Sequence, residues 1–266
     1  MTRKKQHRSN LRFAAIFFAC VVALILMSLA IRIIVLVKNS TYNKEHRFNV
    51  AIFQNNETSL VSFSPDSRSI TILNLSGKLD RSSLSELLEL PIDATIDTEG
   101  MTVDKGNIAT DMSNVLFHFN DKKTSLTIID AFNLFLFSKD VPQNSIYERD
   151  LALSDAFTID TFSSSFFIDS AIANEKTTIQ VVNATSVFGL GGRLASLVAN
   201  MGGDVVLVSS ADTESDNSKI LYSDDSNYTV DRLSSVLGFL AVKAPKTSIA
   251  DIVIIVGKES LKSLKF

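Results

Sequence analysis

The sequence has few of the residues that build common catalytic and metal sites. It contains one cysteine, no tryptophan and three histidines among 266 residues. The single cysteine, Cys20, excludes an intrachain disulfide, so stability must come from packing. The histidines are too scattered to form a Ser-His-Asp triad, an HExxH motif or a zinc-binding pattern; they are His7, His46 and His118. We therefore predict neither a catalytic residue nor a metal site.

Positive charge is also scarce over most of the chain. Nine of the 26 basic residues but only one of the 29 acidic residues lie up to Arg47. The remainder carries 17 basic and 28 acidic residues, which is a net charge of −11. An acidic body repels phosphate backbones, so the charge balance argues against nucleic acid as a partner.

The sequence does contain one long apolar run, residues 13–37. Its first 19 residues are uncharged, and as a helix they would reach about 28 Å, close to the thickness of a bilayer's hydrocarbon core. Five basic residues and no acid precede the run. The positive-inside rule therefore predicts a cytoplasmic tail over 1–12, an uncleaved transmembrane helix over 13–37 and an extracytoplasmic remainder. The alternative is a signal peptide cleaved after Ala30, which the continuation of the run disfavours.

A glycine-rich turn lies within VVNATSVFGLGGRLASLVANMGGDVVLV, residues 181–208. A dinucleotide site requires G-x-G-x-x-G directly after the first strand. Gly189 and Gly191 have the right spacing, but Leu194 occupies the third position and residues 184–188 separate the strand from the turn. We predict that these glycines shape a turn and that no nucleotide cofactor binds.

An acidic stretch imitates the start of a calcium loop. Asp212, Glu214 and Asp216 have the spacing of its first three ligands, but Asn217 replaces the required glycine and Ser223 the final glutamate. We interpret this stretch as a solvated loop and predict no bound metal or other cofactor.

Residues 48–155 are predicted to form a mixed α/β domain after a polar tether over 38–47. Three β-type runs begin it, and turn residues at 65–67 indicate a hairpin between the second and third. Ser83 and Glu86 predict a capping box for the helix that follows. An apolar stripe at helical spacing is predicted to be core; it comprises Ile128, Ile129, Phe132, Phe135 and Leu136. Residues 156–175 lack a sustained period and are predicted to be a linker or a strand-like crossover.

Residues 176–260 show the order βαββαβ. Strands near 179–183 and 204–209 flank a helix that presents Leu194 and Leu197 on one face. The first two strands are expected to be parallel, in a small sheet with both helices on one face. The predicted fold is thus an N-terminal transmembrane helix, a mixed α/β middle domain and a small α/β C-terminal domain.

Motifs in residues 179–258 resemble the C-terminal domain of LytR-CpsA-Psr cell-envelope proteins. IQVVNAT resembles the opening V-x-V-x-N-G/A-T of that domain, and ADIVIIVGKE resembles its last strand. Ala184 replaces the usual glycine, and Gly203-Asp204 stands where an aromatic residue is common. The resemblance implies a bacterial envelope protein that carries a LytR C-terminal domain.

The middle region more faintly resembles the start of the catalytic domain of the same family, which transfers polymers from lipid carriers onto peptidoglycan. The order of FNVAIF, LVSFSPDSRSITILNLSG and LLELPIDATIDTEGM carries this resemblance. The family places an acid after the first strand and an arginine after the hairpin, whereas Asn55, Asn56 and Lys78 occupy these places here. A phosphotransferase without its cationic clamp lacks its main electrostatic catalyst. Residues 48–155 are therefore predicted to be a degenerate domain of this type.

We predict a single-pass membrane protein of the cell envelope, anchored in the lipid bilayer through residues 13–37. Its outer part is expected to be a non-enzymatic binding or scaffolding module for a cell-wall polymer or another envelope protein. The alternative is a phosphotransferase that attaches envelope glycopolymers to peptidoglycan with displaced catalytic residues. An arginine-acid cluster facing one cavity of residues 48–155 would favour that alternative.

Overall fold

The chain begins with a long apolar helix in the computed structural model, which describes residues 3–44, 46–55, 57–77, 79–99, 103–119, 123–246 and 248–263. Helix α1, Arg3–Asn39, contains the predicted apolar run and continues without a break past Ala30. Within it, Ala15–Asn39 is long and apolar enough to cross a membrane, with a mean hydropathy of 2.9. The rest of the protein buries none of this apolar surface.

A six-stranded mixed sheet forms the centre of the middle domain. Its strands occur in the order β5-β4-β1-β2-β3-β6. Strands β1 to β3 form an antiparallel meander, so the predicted hairpin is confirmed. β4 runs parallel to β1 and β6 runs parallel to β3. The strands are β1 Phe48–Phe53, β2 Glu57–Ser64, β3 Ser69–Ser76, β4 Ala94–Asp97, β5 Lys123–Thr124 and β6 Ile146–Ala152.

Helices cover both faces of this sheet. They are α2 Arg81–Leu88, α3 Ile108–Phe117 and α4 Ile128–Asp140. Val50 and Ile52 pack into a core with α3 and α4 on one face. Ala51, which lies between them in β1, packs into a second core with α2 on the other face. This burial on both faces explains why the β1 sequence FNVAIF is almost continuously apolar.

The predicted core stripe of α4 is wrong for three of its five members. Ile128, Phe132 and Leu136 are 43%, 48% and 39% exposed, whereas Ala131 and Leu134 of the same helix are buried in the core. The reason is the register of the helix: the small Ala131 and the larger Leu134 face the sheet, and the stripe at four-residue spacing faces away.

The segment predicted to be a linker over 156–175 forms two helices instead. Asp155 and Asp169 accept hydrogen bonds from backbone N–H groups of the first turns and so cap α5, Ala156–Phe166, and α6, Ser170–Glu175. Ile159 of α5 is buried in the middle domain, and Ile172 of α6 is buried in the C-terminal domain. The prediction failed because serine-rich helices with short apolar faces carry little sequence periodicity.

A five-stranded sheet forms the centre of the C-terminal domain, with strand order β10-β9-β11-β7-β8. β7 and β8 are parallel, as predicted. The structure adds one strand to the predicted pattern, β10, which pairs in parallel with β9. The elements are β7 Thr178–Asn183, α7 Leu190–Asn200, β8 Asp204–Ser210, β9 Lys219–Tyr222, α8 Tyr228–Leu237, β10 Leu240–Lys243, β11 Ile252–Val256 and α9 Ser260–Ser263.

Both α7 and α8 pack on one face of this sheet. Alternate residues of β7 and β11, including Val181 and Ile254, share a core with Leu197 of α7 and Leu233 of α8. This arrangement confirms the predicted architecture, because period-two alternation in the strands places their buried side chains on the same face as both helices.

The glycine-rich turn has the structural role that its spacing predicted. Gly189 precedes α7 with φ +80°, and Gly202 follows it with φ +102°. Both angles lie in the region that side-chain-bearing residues rarely adopt. Asn183 holds the turn, since its Nδ2 donates to the Val187 carbonyl over 2.8 Å and its Oδ1 accepts from the Thr185 N–H over 3.1 Å.

Candidate functional site

The segment predicted to be a polar tether is fixed to the middle domain at its start. The Ser40 hydroxyl donates to Asp130 Oδ1 over 2.7 Å, and the Tyr42 backbone N–H donates to the same atom over 3.0 Å. Asp130 Oδ2 accepts from the backbone N–H and the hydroxyl of Thr127, completing the capping box of α4. The Asp130 side chain is fully buried, so these four donors take the place of water at its two oxygens. We call this arrangement the Asp130 clamp.

The same segment ends at the junction between the two domains. Arg47 Nη1 donates to the Ser62 hydroxyl over 3.0 Å and to the Phe166 carbonyl over 2.8 Å. Burial lowers the pKa of Arg47 to about 10, although Asp66 and Asp169 oppose this shift. The neighbouring His46 ring stacks on Tyr228 of the C-terminal domain with centroids 4.1 Å apart.

An ion pair crosses the junction beside Arg47. Arg232 Nη2 of α8 lies 3.1 Å and 3.2 Å from the two carboxylate oxygens of Asp93, which precedes β4. These side chains are only 13% and 11% exposed. Burial raises the pKa of Asp93 above its ordinary value, against the opposing charge of Arg232. Burial also acts to lower the pKa of Arg232, but Asp93, Tyr228 and Asp169 together outweigh it and the net shift is upward.

Helix α6 adds further contacts that the sequence did not indicate. The Tyr228 hydroxyl donates to Asp169 Oδ2 over 2.6 Å, and burial together with this contact raises the Tyr228 pKa far above its ordinary value. Glu175 accepts from the backbone N–H groups of Tyr228 and Thr229 at 2.9 Å each, so it caps the start of α8. Asn200 of α7 donates to the Leu88 carbonyl over 3.2 Å. The two domains are therefore joined by a partly buried polar interface.

A cavity of about 820 Å³ lies between the edge strand β6 and helix α5. Its wall combines aromatic rings, hydroxyl groups and charged side chains. The Phe162 and Phe166 rings stack with centroids 4.4 Å apart, and the centroid of the Tyr147 ring lies 6.0 Å from that of Phe166. The lining comprises Lys105, Ile146, Tyr147, Glu148, Arg149, Asp150, Thr158, Thr161, Phe162, Ser165 and Phe166.

Arg149, Glu148 and Asp150 all line this cavity, but the arginine and the two acids lie on opposite faces of β6 and so do not form the arginine-acid cluster that would favour a transferase. Asn74 Nδ2 donates to Asp150 over 2.9 Å and to Glu148 over 3.3 Å, and Glu148 also accepts from the Lys105 backbone N–H over 2.9 Å. These acids therefore share one face of β6, and alternation places Arg149 on the other face with Tyr147. Arg149 is exposed and lines the cavity together with the aromatic rings.

Among the described residues, the positions that the sequence resemblance to a transferase domain singles out do not come together in one cluster. Asn55 is exposed in the β1–β2 turn, while Asn56 and Lys78 lie outside the described residues. Arg68 is exposed in the β2–β3 turn, away from the cavity lining. Among the residues that the structure describes, no three His, Cys, Asp or Glu side chains are grouped as for a metal ion. In the calcium-like stretch, Lys258 pairs with Glu214 at 2.6 Å.

One residue of these contacts, Asp130, lies in a sequence motif that could have been recognised. Thr127-x-x-Asp130 before an apolar run matches a capping box, although nothing in it indicates that Asp130 also binds Ser40. Asp93 and Arg232 are 139 positions apart, so no local pattern relates them.

Comparison with known proteins identifies the C-terminal domain. Residues 176–259 match the family model described as LytR cell envelope-related transcriptional attenuator. These residues form a LytR C-terminal domain. The match spans the five-stranded sheet with α7 and α8, so the resemblance in the turn and strand motifs is confirmed. The LytR C-terminal domain and the apolar helix α1 together fit a membrane-anchored protein of the cell envelope.

Several solved structures resemble part of the chain. Bacillus subtilis TagT is 13% identical with a TM-score of 0.29, covering 42% of this chain and 82% of that chain. The transcriptional regulator YvhJ of Bacillus subtilis is 10% identical with a TM-score of 0.33, covering 41% and 84%. The Lin1025 protein of Listeria innocua is 9% identical with a TM-score of 0.31, covering 40% and 83%. No curated protein matches the chain.

Proposed function

We propose that the protein is a single-pass envelope protein whose outer part binds a cell-wall polymer and catalyses no reaction. The observation that carries this proposal is the cavity between β6 and α5. Aromatic faces stack on sugar rings, and the Thr158, Thr161 and Ser165 hydroxyls offer hydrogen bonds to sugar hydroxyls. Arg149 supplies a positive charge for an anionic group of the polymer.

Binding rather than catalysis is supported by the hydrogen bonds that the two acids of the cavity lining accept. Glu148 and Asp150 accept hydrogen bonds from Asn74 and from the Lys105 backbone, contacts that connect β6 to β3 and to the start of α3. Such hydrogen bonds hold both side chains in place. In this role the two acids shape the edge of the sheet, and Arg149 with the aromatic rings recognises the ligand.

The charge distribution supports an orientation with the N-terminus in the cytoplasm. The basic residues before the apolar run favour the cytoplasmic side, and the acidic body follows α1 on the outside. In this orientation both folded domains, and the cavity, face the cell wall.

A sedimentation assay tests the proposed function. The full-length protein in detergent micelles is mixed with purified cell walls, either intact or stripped of their anionic polymer. Arg149→Gln is expected to weaken binding to intact walls and to flatten its dependence on salt, because one charge contact is lost. Phe166→Ala is expected to weaken binding to both preparations, because it removes a stacking surface.

Arg68→Gln is the matched control, because Arg68 is an equally exposed arginine of the same domain outside the cavity. Equal binding by the wild type and all three variants would contradict the assignment of the cavity. Release of phosphate from a pyrophosphate-linked carrier that is lost in Arg149→Gln would contradict the non-enzymatic role.

A further inference from the structure

We propose that the exposed apolar stripe of α4 lies against the surface of the membrane that α1 spans. The stripe consists of Ile128, Phe132 and Leu136, each at least 39% exposed. Four-residue spacing places these side chains on one side of the helix over a length of about 12 Å. Single exposed apolar residues are ordinary on protein surfaces, but a row of large ones on one helix face marks an interaction surface.

The position at which α1 ends identifies the occupant of this surface. Asn39 is the last residue of α1, and the next residue, Ser40, already donates a hydrogen bond to Asp130 in the first turn of α4. Helix α1 also contacts α4 directly. No slack chain therefore separates the span from α4, and the stripe begins beside the point where the chain leaves the bilayer.

Neighbouring side chains match the chemistry of a membrane surface. Phe117 ends α3, which packs against α4, and is 78% exposed. Lys38 lies in the last turn of α1 and Lys139 in the last turn of α4, with Lys139 Nζ 5.5 Å from the centroid of the Phe135 ring. Lysine heads reach lipid headgroups while their stems cover apolar surface, and aromatic rings favour the interface.

The position of the stripe favours a lipid surface over a second copy of the chain, because Ser40 holds the start of α4 directly at the end of α1. Interfacial helices bury their apolar face at the boundary between headgroups and acyl chains, and anionic headgroups attract the flanking lysines. In this arrangement α4 holds the middle domain at a fixed height and orientation above the bilayer.

The absence of tryptophan from the sequence makes a direct test simple. Four full-length variants each introduce one tryptophan, and three of them are Phe132→Trp in the stripe, Leu26→Trp in α1 and Phe188→Trp in the fully exposed turn before α7. Each is reconstituted into vesicles of phosphatidylcholine and phosphatidylglycerol, with or without bromine on the acyl chains. Leu136→Trp is a second reporter in the stripe.

Bromine is expected to quench Phe132→Trp and Leu136→Trp at least about twofold more than Phe188→Trp, since only the stripe enters the interface. If both stripe reporters are quenched no more than Phe188→Trp while Leu26→Trp is strongly quenched, the docking of α4 is overturned and the membrane anchor is not. A blue-shifted Phe132→Trp emission that bromine does not quench would overturn it in favour of a protein partner. Because the proposal rests on the membrane anchor of the proposed function, an unquenched Leu26→Trp would overturn both.

Discussion

Three buried or half-buried carboxylates connect parts of the chain that are distant in sequence. Asp130 binds the segment after α1, Asp93 pairs with Arg232 of α8, and Asp251 joins the starts of β7 and β11. Each carboxylate accepts several hydrogen bonds, as buried charges must. Removing any one of them leaves donors unsatisfied, so single substitutions are informative at this scale.

Asp251 makes the stability of the C-terminal domain dependent on pH. Its carboxylate accepts from Lys246 Nζ over 2.8 Å and from the Thr178 hydroxyl over 2.7 Å, and these contacts lower its pKa from 3.8 to about 2. Because the pKa is lower in the folded state than its ordinary value of 3.8, the ionised carboxylate stabilises the fold at pH values above 3.8. This contribution is lost as the pH falls toward 2.

Asp251→Asn is therefore expected to lower the free energy of unfolding at pH 7 by about 1 kcal/mol, a value reduced for solvent screening of a partly exposed pair. Thermal melting of the wild type and Asp251→Asn from pH 7 to pH 2 measures the difference in stability, and this difference should disappear near pH 2. Asp225→Asn, which removes a fully exposed partner of Lys243, is the control and should show no such difference. A difference that persists unchanged at pH 2 would contradict the assigned cause.

The Asp93–Arg232 pair is expected to couple the two domains. Asp93→Asn leaves the Arg232 guanidinium buried without its counter-ion, which should destabilise the protein by about 3–5 kcal/mol. The double variant Asp93→Leu/Arg232→Met should recover much of this loss, because a buried pair can be replaced by apolar groups at little cost. Chemical denaturation of the two variants measures the difference, and a double variant no more stable than Asp93→Asn would contradict the pairing.

At the scale of single elements, α7 is a helix with one buried face and a glycine-rich start. Its buried face packs Leu194, Leu197 and Val198 against the sheet, while Gly192 is exposed with open space around the position of a Cβ atom. The helix is therefore stabilised mainly by tertiary packing rather than by its three-glycine start.

Two substitutions in α7 should act in opposite directions. Leu197→Ala is expected to cost about 2–5 kcal/mol, because it leaves a cavity in the core. Gly192→Ala is expected to stabilise the domain by up to about 1 kcal/mol, because alanine restricts the unfolded chain and favours the helix. Thermal melting of each variant measures the change. Unchanged melting of Leu197→Ala would contradict the packing of α7.

At the scale of the whole molecule, α1, the Asp130 clamp and the domain junction form one connected path. Ser40 is bound to Asp130 of the middle domain, and Arg232 Nη2 of the C-terminal domain donates to the Arg47 carbonyl over 3.3 Å. The membrane helix is thus linked through hydrogen bonds to both domains. This continuity predicts that the domains keep a fixed relation to the membrane.

The proposed topology has its own test in intact cells. Protease added to spheroplasts is expected to digest residues after 47, because the basic tail favours the cytoplasmic side and the domains that follow α1 then lie outside. Antibodies against a tag on each end identify the protected fragment, and lysed spheroplasts serve as the control. Protection of the C-terminal tag in intact spheroplasts would show that the orientation is reversed.

Some local assignments could be made from the sequence and others failed for identifiable reasons. The turn around Gly189 and Gly202 was predictable, because positive φ angles select glycine. The capping box predicted at Ser83 and Glu86 is wrong: Asp80 caps α2 by accepting from the Ser83 N–H, and Glu86 pairs with Arg193 instead. Both arrangements satisfy the spacing rule, and only the actual start of the helix distinguishes them.

The sequence by itself determined the elements that depend only on residues close together in the chain. An uninterrupted apolar run determined α1, and short apolar runs bounded by turn residues indicated the strands of the C-terminal sheet. The tertiary structure alone decided which apolar face of α4 is buried, that residues 156–175 belong to both domains, and that Asp93 meets Arg232. These outcomes depend on contacts between residues far apart in the chain, and periodicity within a single segment contains no information about its distant partner.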